Sequence, residues 1–454
     1  MALGRKKEER QQEFWVAMQD LAQTPRHAFY EHLNRLLAEA DFDRRVEDLC
    51  EAYYAQGGRP SIPPGVFFRM IFVGYFENIS SQRGIAWRCD DSRSLRRFLG
   101  YAPHEETPDH SSLTRIKARL PQEVFAAVFT LVLELTAEHK LLDGTTVGVD
   151  ATTLEADAAM KSIVRQDTGE DWEAYLKRLA AEDGVEIQSK ADLIRYDKDR
   201  NKRRKKKVSN DEWTSPNDPD ARITKMKDGT TDLAYKAEHV VDLKTEVIVT
   251  AEIYHADQAD TATLTESLTA AQENLEQAEV YRDIRKVVAD KGYHKASALT
   301  DCETLTGLGV TPYIPEPESR YKRVWIDKPY REQRAVYNNR RRTSRTYGKR
   351  LQRKRSEVVE RSFAHVCETG GARRTWLTGI DNVRKRYTLQ AAAHNLGVIL
   401  RKLLGAGKPR EFAAVAGAFL GAQIAVQGAL PLHWHALALW ASILRLSQPK
   451  TNAA

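Results

Sequence analysis

A carboxylate set in the middle of a β-branched run limits what this chain can become. The run is Thr145-Thr146-Val147-Gly148-Val149-Asp150-Ala151-Thr152-Thr153-Leu154 and follows an Asp143-Gly144 turn. Branched residues alternating with small ones after a turn read as a buried strand. Val147 and Val149 share one face, and Asp150 points to the other. An ionised carboxylate there is costly unless it is paired or holds a metal. A lone aspartate in such a place is also a common strand-end cap. Two more acidic residues in similar settings favour a site: Asp290 ends the apolar run from Ile284, and Glu360 lies on a helical stretch with Val358, Val359, Phe363 and Val366.

The order of elements around these acids predicts an α/β domain. After the Asp150 strand come two strands, Tyr235 to Val241 and Glu246 to Tyr254, joined by a hairpin-length turn. A helix with Leu264, Leu268, Ala271 and Leu275 on one face follows, then the Asp290 strand, a helix from Ala296 and a strand through Val310 to Pro315. The Glu360 helix and a last helix from Tyr387 to Leu404 complete the set, while residues 316–350 read as basic and poorly periodic. Before all this the chain is helical. Pro63-Pro64 opens one helix, Ser80-Ser81 and Ser92 open two short ones, and Ser111 or Ser112 caps another. Pro121 then opens a long helix with a Val124, Phe125, Val128, Phe129, Val132 and Leu135 stripe. The boundaries read as 1–142, helical; 143–405, α/β, with a basic insertion at about 155–223; and 406–454, a helical tail.

Charge points to a polyanion. The chain of 454 residues carries a formal net charge of +7, concentrated in runs. Lys202, Arg203, Arg204, Lys205, Lys206 and Lys207 are consecutive, and six adjacent cations repel unless an anion lies against them. A solvated, partly mobile linker is the other reading of that arm. Arg340, Arg341, Arg342, Arg345, Lys349, Arg353 and Arg355 run into the Glu360 helix, and Arg361 follows it. Arg83, Arg88, Arg93, Arg96 and Arg97 on the short helices are either phosphate contacts or a solvated face. The four cysteines, Cys50, Cys89, Cys302 and Cys367, have no CxxC or His spacing. This argues against a disulfide framework or zinc site and for a reducing cytoplasm. Phe412 to Leu432 is apolar but broken by Gln423, Gln427 and Pro431, so a buried helix pair is expected rather than a membrane span.

Three short motifs carry a family resemblance. Val149-Asp150-Ala151-Thr152, Val288-Ala289-Asp290-Lys291-Gly292-Tyr293 and Val358-Val359-Glu360-Arg361-Ser362-Phe363 resemble the acidic motifs of bacterial insertion-sequence DDE transposases. Asp218-Pro219-Asp220-Ala221-Arg222, the His239 and Asp242 pair, and the helical block from Pro63 to Leu120 add to it. The resemblance covers roughly residues 20–405 and implies a ribonuclease H-like mixed sheet flanked by helices. It implies that Asp150, Asp290 and Glu360 are catalytic and share two Mg²⁺ or Mn²⁺ ions, hard cations that take oxygen ligands. Transposon-end DNA, target DNA and a homodimer or larger synaptic complex are the implied partners, with the protein at the nucleoid and no membrane. Many relatives place Tyr seven residues before the glutamate, Arg four before and Lys seven after. Here those positions hold Arg353, Ser356 and Cys367, leaving Arg355, Arg361 and Arg373 as substitute phosphate clamps.

Auxiliary residues follow from position. Trp325 and Trp376 are candidates for stacking on an unpaired base, with core burial the preferred reading of Trp376. His239 reads as a satisfied core or rim histidine, and His294 as a structural surface residue or one that approaches a phosphate. A catalytically silent DNA-binding protein of this fold and a metal-dependent nuclease without strand transfer are the alternatives to a transposase.

Overall fold

The computed structural model describes residues 25–55, 57, 61–203, 210–226, 229–304, 309–320 and 323–412. Arg204 to Lys207, and the tail beyond Phe412, lie outside them. The helical block holds α1 (Pro25–Glu39), α2 (Phe42–Cys50), α3 (Pro64–Glu77), α4 (Gln82–Asp91), α5 (Arg93–Phe98), α6 (His110–Arg119) and α7 (Gln122–Glu138). Ser81 and Ser92 cap α4 and α5 as expected, each accepting from a backbone N–H three residues on. At α6 the cap is Asp109, which accepts from Ser112 N at 2.8 Å. It stands one residue before the helix, where a cap must stand, so it displaces the two serines. Among the described residues no single helix is long and apolar enough to cross a membrane.

The sheet begins with β1 (Thr146–Glu155), followed by the short β2 (Val164–Arg165), α8 (Trp172–Glu182), α9 (Lys190–Arg203) and β3 (Trp213–Thr214). This insertion is a small folded unit rather than a bare arm. Arg165 bridges Asp167 and Glu212 and lies over the Tyr175 ring at 4.5 Å, against buried Leu176 and Trp213. Helix α8 buries Tyr175, Leu176, Leu179 and Ala180, so the unit has an apolar face of its own. Asp171 caps α8, accepting from Ala174 N at 2.7 Å.

Then come β4 (Arg222–Lys225), β5 (Thr231–Asp242), β6 (Ile248–His255), α10 (Asp260–Gln277), β7 (Lys286–Val288), α11 (Ala296–Thr304) and β8 (Thr311–Tyr313). The strand order is β4-β5-β1-β7-β8, with β6 also paired to β5. Strand β5 runs antiparallel to β1, whereas β7 and β8 run parallel to it. This is the mixed sheet expected of a ribonuclease H-like domain. Three helices close the chain: α12 (Tyr330–Ser344), α13 (Thr346–Phe363) and α14 (Ile380–Leu404). Helix α12 falls in the stretch that sequence left without periodicity. Its inward face is only Ala335, Val336 and Asn339, and Asn339 clasps both backbone groups of Ile314 beside β8.

The sheet separates two cores. On one face Val147, Val149, Val240 and Val249 pack with Leu264, Leu268, Ala271 and Leu275 of α10. On the other, α13 and α14 cover the sheet and continue into the helical block, where α14 lies along α7. Gly148 sets the fit of α13. A Cβ there would stand 2.8 Å from Val359 Cγ2 and 2.6 Å from Leu243 Cδ2. Because no such atom exists, the helix rests directly on the strand that carries Asp150.

Candidate active site

Strand register brings the two aspartates together. Gly148 pairs with Val288 across the parallel β1 and β7. Asp150 and Asp290 each follow two residues later, where β7 has ended and β1 continues beside β5. Asp290 caps the turn at residues 291–293, accepting from Gly292 N at 2.7 Å. Asp150 accepts from Arg355 Nη1 at 2.7 Å and pairs across β1 and β5 with His239. Helix α13 spans both strand ends: Arg355 reaches Asp150, and Gln352 Nε2 donates to Ala289 O at 3.1 Å, next to Asp290. Glu360 rides on the same helix one residue past Val359, but its side chain is exposed.

Among the described residues no three His, Cys, Asp or Glu side chains stand close enough together to hold a metal ion. Asp150, Asp290 and Glu360 are therefore placed on adjoining elements without forming a closed three-ligand group, and Arg355 stands at Asp150. The donor chemistry around them nevertheless suits a hard cation. Asp290 Oδ1 and Asp260 Oδ2 flank Gly292, at 3.0 and 2.9 Å from where a Cβ would sit. Glu238 Oε1 is buried and has no hydrogen-bond partner. All three are carboxylate oxygens, the ligand type that divalent Mg²⁺ or Mn²⁺ takes, and the two aspartates lie against a glycine.

Asp260, Glu238 and Lys236 were not singled out from sequence, and Tyr293 only as the end of the second motif. Glu238 Oε2 accepts from Tyr293 OH at 2.8 Å and from Thr263 Oγ1 at 2.7 Å. Lys236 Nζ sits 2.7 Å from Asp260 and 3.3 Å from Glu238. Burial pushes the Tyr293 phenol well above its ordinary value, and Glu238, Asp260 and Asp150 add to that. A phenol kept protonated in this way donates to Glu238 at any physiological pH. The available signal was a Lys-Ala-Glu alternation within a strand otherwise buried on that face.

The basic candidates divide by partner. Arg341, Arg345, Lys349 and Arg353 are exposed. Arg340 is paired with Glu316, Arg342 with Glu303, and Arg361 with Glu246 and Glu357. Arg355 is buried against Asp150, since it shares the inner face of α13 with Leu351, Val358 and Val359. Lys202 and Arg203 end α9. Trp325 is half-buried, with Arg323 and Lys328 over its ring at 5.4 and 5.9 Å.

Trp376 is not core: it is 53% exposed, with Arg374 over its ring at 4.7 Å. It lies in the irregular stretch before α14, where no helical face turns it inward. His294 is buried rather than at the surface, and both of its ring nitrogens lack a partner. His239 is the satisfied core histidine expected, bonded to Ser362 Oγ at 2.8 Å and Tyr387 OH at 2.9 Å.

No curated protein and no solved structure matches the chain. Two family descriptions do: a transposase domain (DUF772) over residues 19–119 and a transposase DDE domain over residues 207–396. The first covers most of the helical block, and the second takes in β5, β7 and α13 with Asp290 and Glu360. The chain belongs to the insertion-sequence DDE transposases, enzymes that cleave and join DNA and generally use divalent metal ions.

Proposed function

We propose that this transposase cuts DNA at the ends of its own element and joins the freed end to a target, with Asp150, Asp290 and Glu360 as its catalytic acids. The observation that carries the assignment is the shared register of Asp150 and Asp290 on adjacent parallel strands, with the Glu360 helix laid across both. Those three side chains would hold two Mg²⁺ or Mn²⁺ ions, which supply Lewis-acid activation of the attacking oxygen and stabilise the leaving one. The chain's own work is placement. Gln352 fixes the backbone beside Asp290, Arg355 holds Asp150, and exposed Lys349 and Arg353 on the same helix meet backbone phosphates. Residues 1–142 act in end recognition and assembly, 143–405 in chemistry, and the active form is a dimer or larger complex on nucleoid DNA.

The test is pre-cut end DNA with a plasmid target in Mg²⁺. Joined products are expected from the wild type, and none from Glu360→Gln, which should still retain DNA. Cutting without joining would reduce the protein to a nuclease, and retention without either to a DNA binder. Wild-type cutting by the Gln variant would remove Glu360 from the site.

A further inference from the structure

A cavity of about 250 Å³ lies between α3, α4, α7 and α14, away from the acidic residues. Its wall is largely apolar, with Tyr75, Phe125 and Leu389, and the exposed indole of Trp376 forms part of its lining. Two cations also line it, Lys117 of α6 and Arg386 of α14. A third, Lys385, lies over the Phe125 ring at 5.6 Å. All three are part-buried. Arg386 donates to Gly371 O at 3.0 Å, and among the described residues none of the three has a carboxylate within ion-pair distance.

This arrangement is unfavourable as it stands. Removing cations from water beside one another costs free energy that only an opposite charge returns. Burial, with Lys385 and Arg386 close by, holds the Lys117 ammonium below its ordinary value, and burial alone brings Arg386 down to about 10. Elsewhere the chain compensates its inward-facing arginines: Arg69 has Asp43, Arg355 has Asp150, and Arg165 has two carboxylates. The contrast marks an anion site.

Its location selects the anion. Arg386 touches Gly371, and two residues later Arg373 donates to Thr152 Oγ1 at 2.9 Å and Thr153 O at 3.2 Å, two and three residues after Asp150. A strand engaged at Asp150 that continues along residues 371–373 arrives at this cavity. We infer that Lys117, Lys385 and Arg386 form a subsite for a backbone phosphate of the bound DNA strand, with Trp376 beside the attached nucleoside. The inference rests on the DNA-processing reading above.

The experiment compares full-length wild type with Lys117→Gln/Arg386→Gln, measuring end-DNA affinity by fluorescence anisotropy against salt, and thermal melting without DNA. Losing this one phosphate contact should lower the log–log salt slope by about one. The same change should raise the melting temperature of the free protein, because it removes uncompensated like charge. Arg386→Lys, which keeps the charge, should keep most of the slope and guards against a misfolded double variant. An unchanged slope, or a lower melting temperature with an unchanged slope, would assign these cations a structural role and overturn the subsite. Failure of the wild type to bind end DNA would instead sink the functional reading itself.

Discussion

Arg355 Nη1 donates to Asp150 Oδ2 at 2.7 Å, so a buried guanidinium stands where the first acidic motif presents its carboxylate. Arg355 Nε has no partner, and the group is therefore only partly satisfied by this contact. A cation held against Asp150 competes electrostatically with any metal ion that the same carboxylate would take. Arg355→Gln should bind Mn²⁺ more tightly in the absence of DNA. The expected gain is about tenfold, the equivalent of one pKa unit or 1.36 kcal/mol. Cleavage of end DNA should fall in the same variant, because the cation that fixes Asp150 is gone. Titration followed by Mn²⁺ paramagnetic resonance reads the first effect. Unchanged affinity would make the contact a structural ion pair.

Gly292 separates two carboxylates that would otherwise be pressed by a side chain. A Cβ there meets Asp260 Oδ2 at 2.9 Å and Asp290 Oδ1 at 3.0 Å. Both oxygens belong to short side chains tied elsewhere, Asp260 to Lys236 and Asp290 to the backbone of residue 292. Gly292→Ala should therefore displace Asp290 and lower strand cleavage by at least an order of magnitude, the scale on which small misplacements act. The melting temperature should move by only a few degrees, since the added methyl lies at the partly open end of the sheet. Full cleavage activity would show that the spacing of Asp260 and Asp290 is not used.

Local features of this fold were readable from sequence, and contacts across it were not. Ser81, Ser92 and Pro64 start helices because their effect is spent within one turn, and the face of β1 follows from alternation alone. Helix α12 has no legible period because its surface is polar and arginine-rich and only Ala335, Val336 and Asn339 turn inward. Its anchor, Asn339 on Ile314, is a tertiary contact with no local signature. The acids at residues 150, 290 and 360 were found through motif spacing. That Arg355 would turn inward to Asp150, and that Asp260 would stand beside Asp290, depends on how α13 and α10 dock on the sheet. Trp376 is the reverse case: core burial was preferred to base stacking for a large apolar residue, although nothing around it in the chain supplies a buried face.

Histidines buried without charge make stability fall in acid. Burial takes His239 down to about 3, where it accepts or donates only as a neutral ring between Ser362 and Tyr387. His365 is lowered to about 4, and His394 lies well below its ordinary value, burial being the first cause for each. In the unfolded chain all three bind protons as the pH drops through 6.5. Their contribution is thus complete above that pH and is lost progressively as the pH falls toward the folded values. Each such histidine removes up to about 1.4 kcal/mol per pH unit over that window. Denaturant melts between pH 7 and 5 should show a falling midpoint, and His239→Asn should start lower but fall less steeply. Parallel pH profiles for the two proteins would refute the assignment to His239.

The basic face of α13 can be sorted by experiment in the same way that the structure sorts it. Lys349 and Arg353 are exposed and face outward from the helix that carries Glu360, so neutralising both should release about two fewer counterions on DNA binding. The slope of log affinity against log salt should fall by about two, and the loss should be similar for end DNA and unrelated DNA, because phosphate contacts carry no sequence information. Arg342 is the control. It is half-buried and donates to Pro312 O at 3.2 Å and Glu303 at 3.3 Å. Arg342→Gln should leave the slope unchanged and instead lower stability, by about 1 kcal/mol for the lost charged hydrogen bonds. Equal slopes for wild type and the Lys349/Arg353 variant would place the DNA on another face of the protein. A reduced slope for Arg342→Gln would mean that its pairing with Glu303 opens when DNA binds.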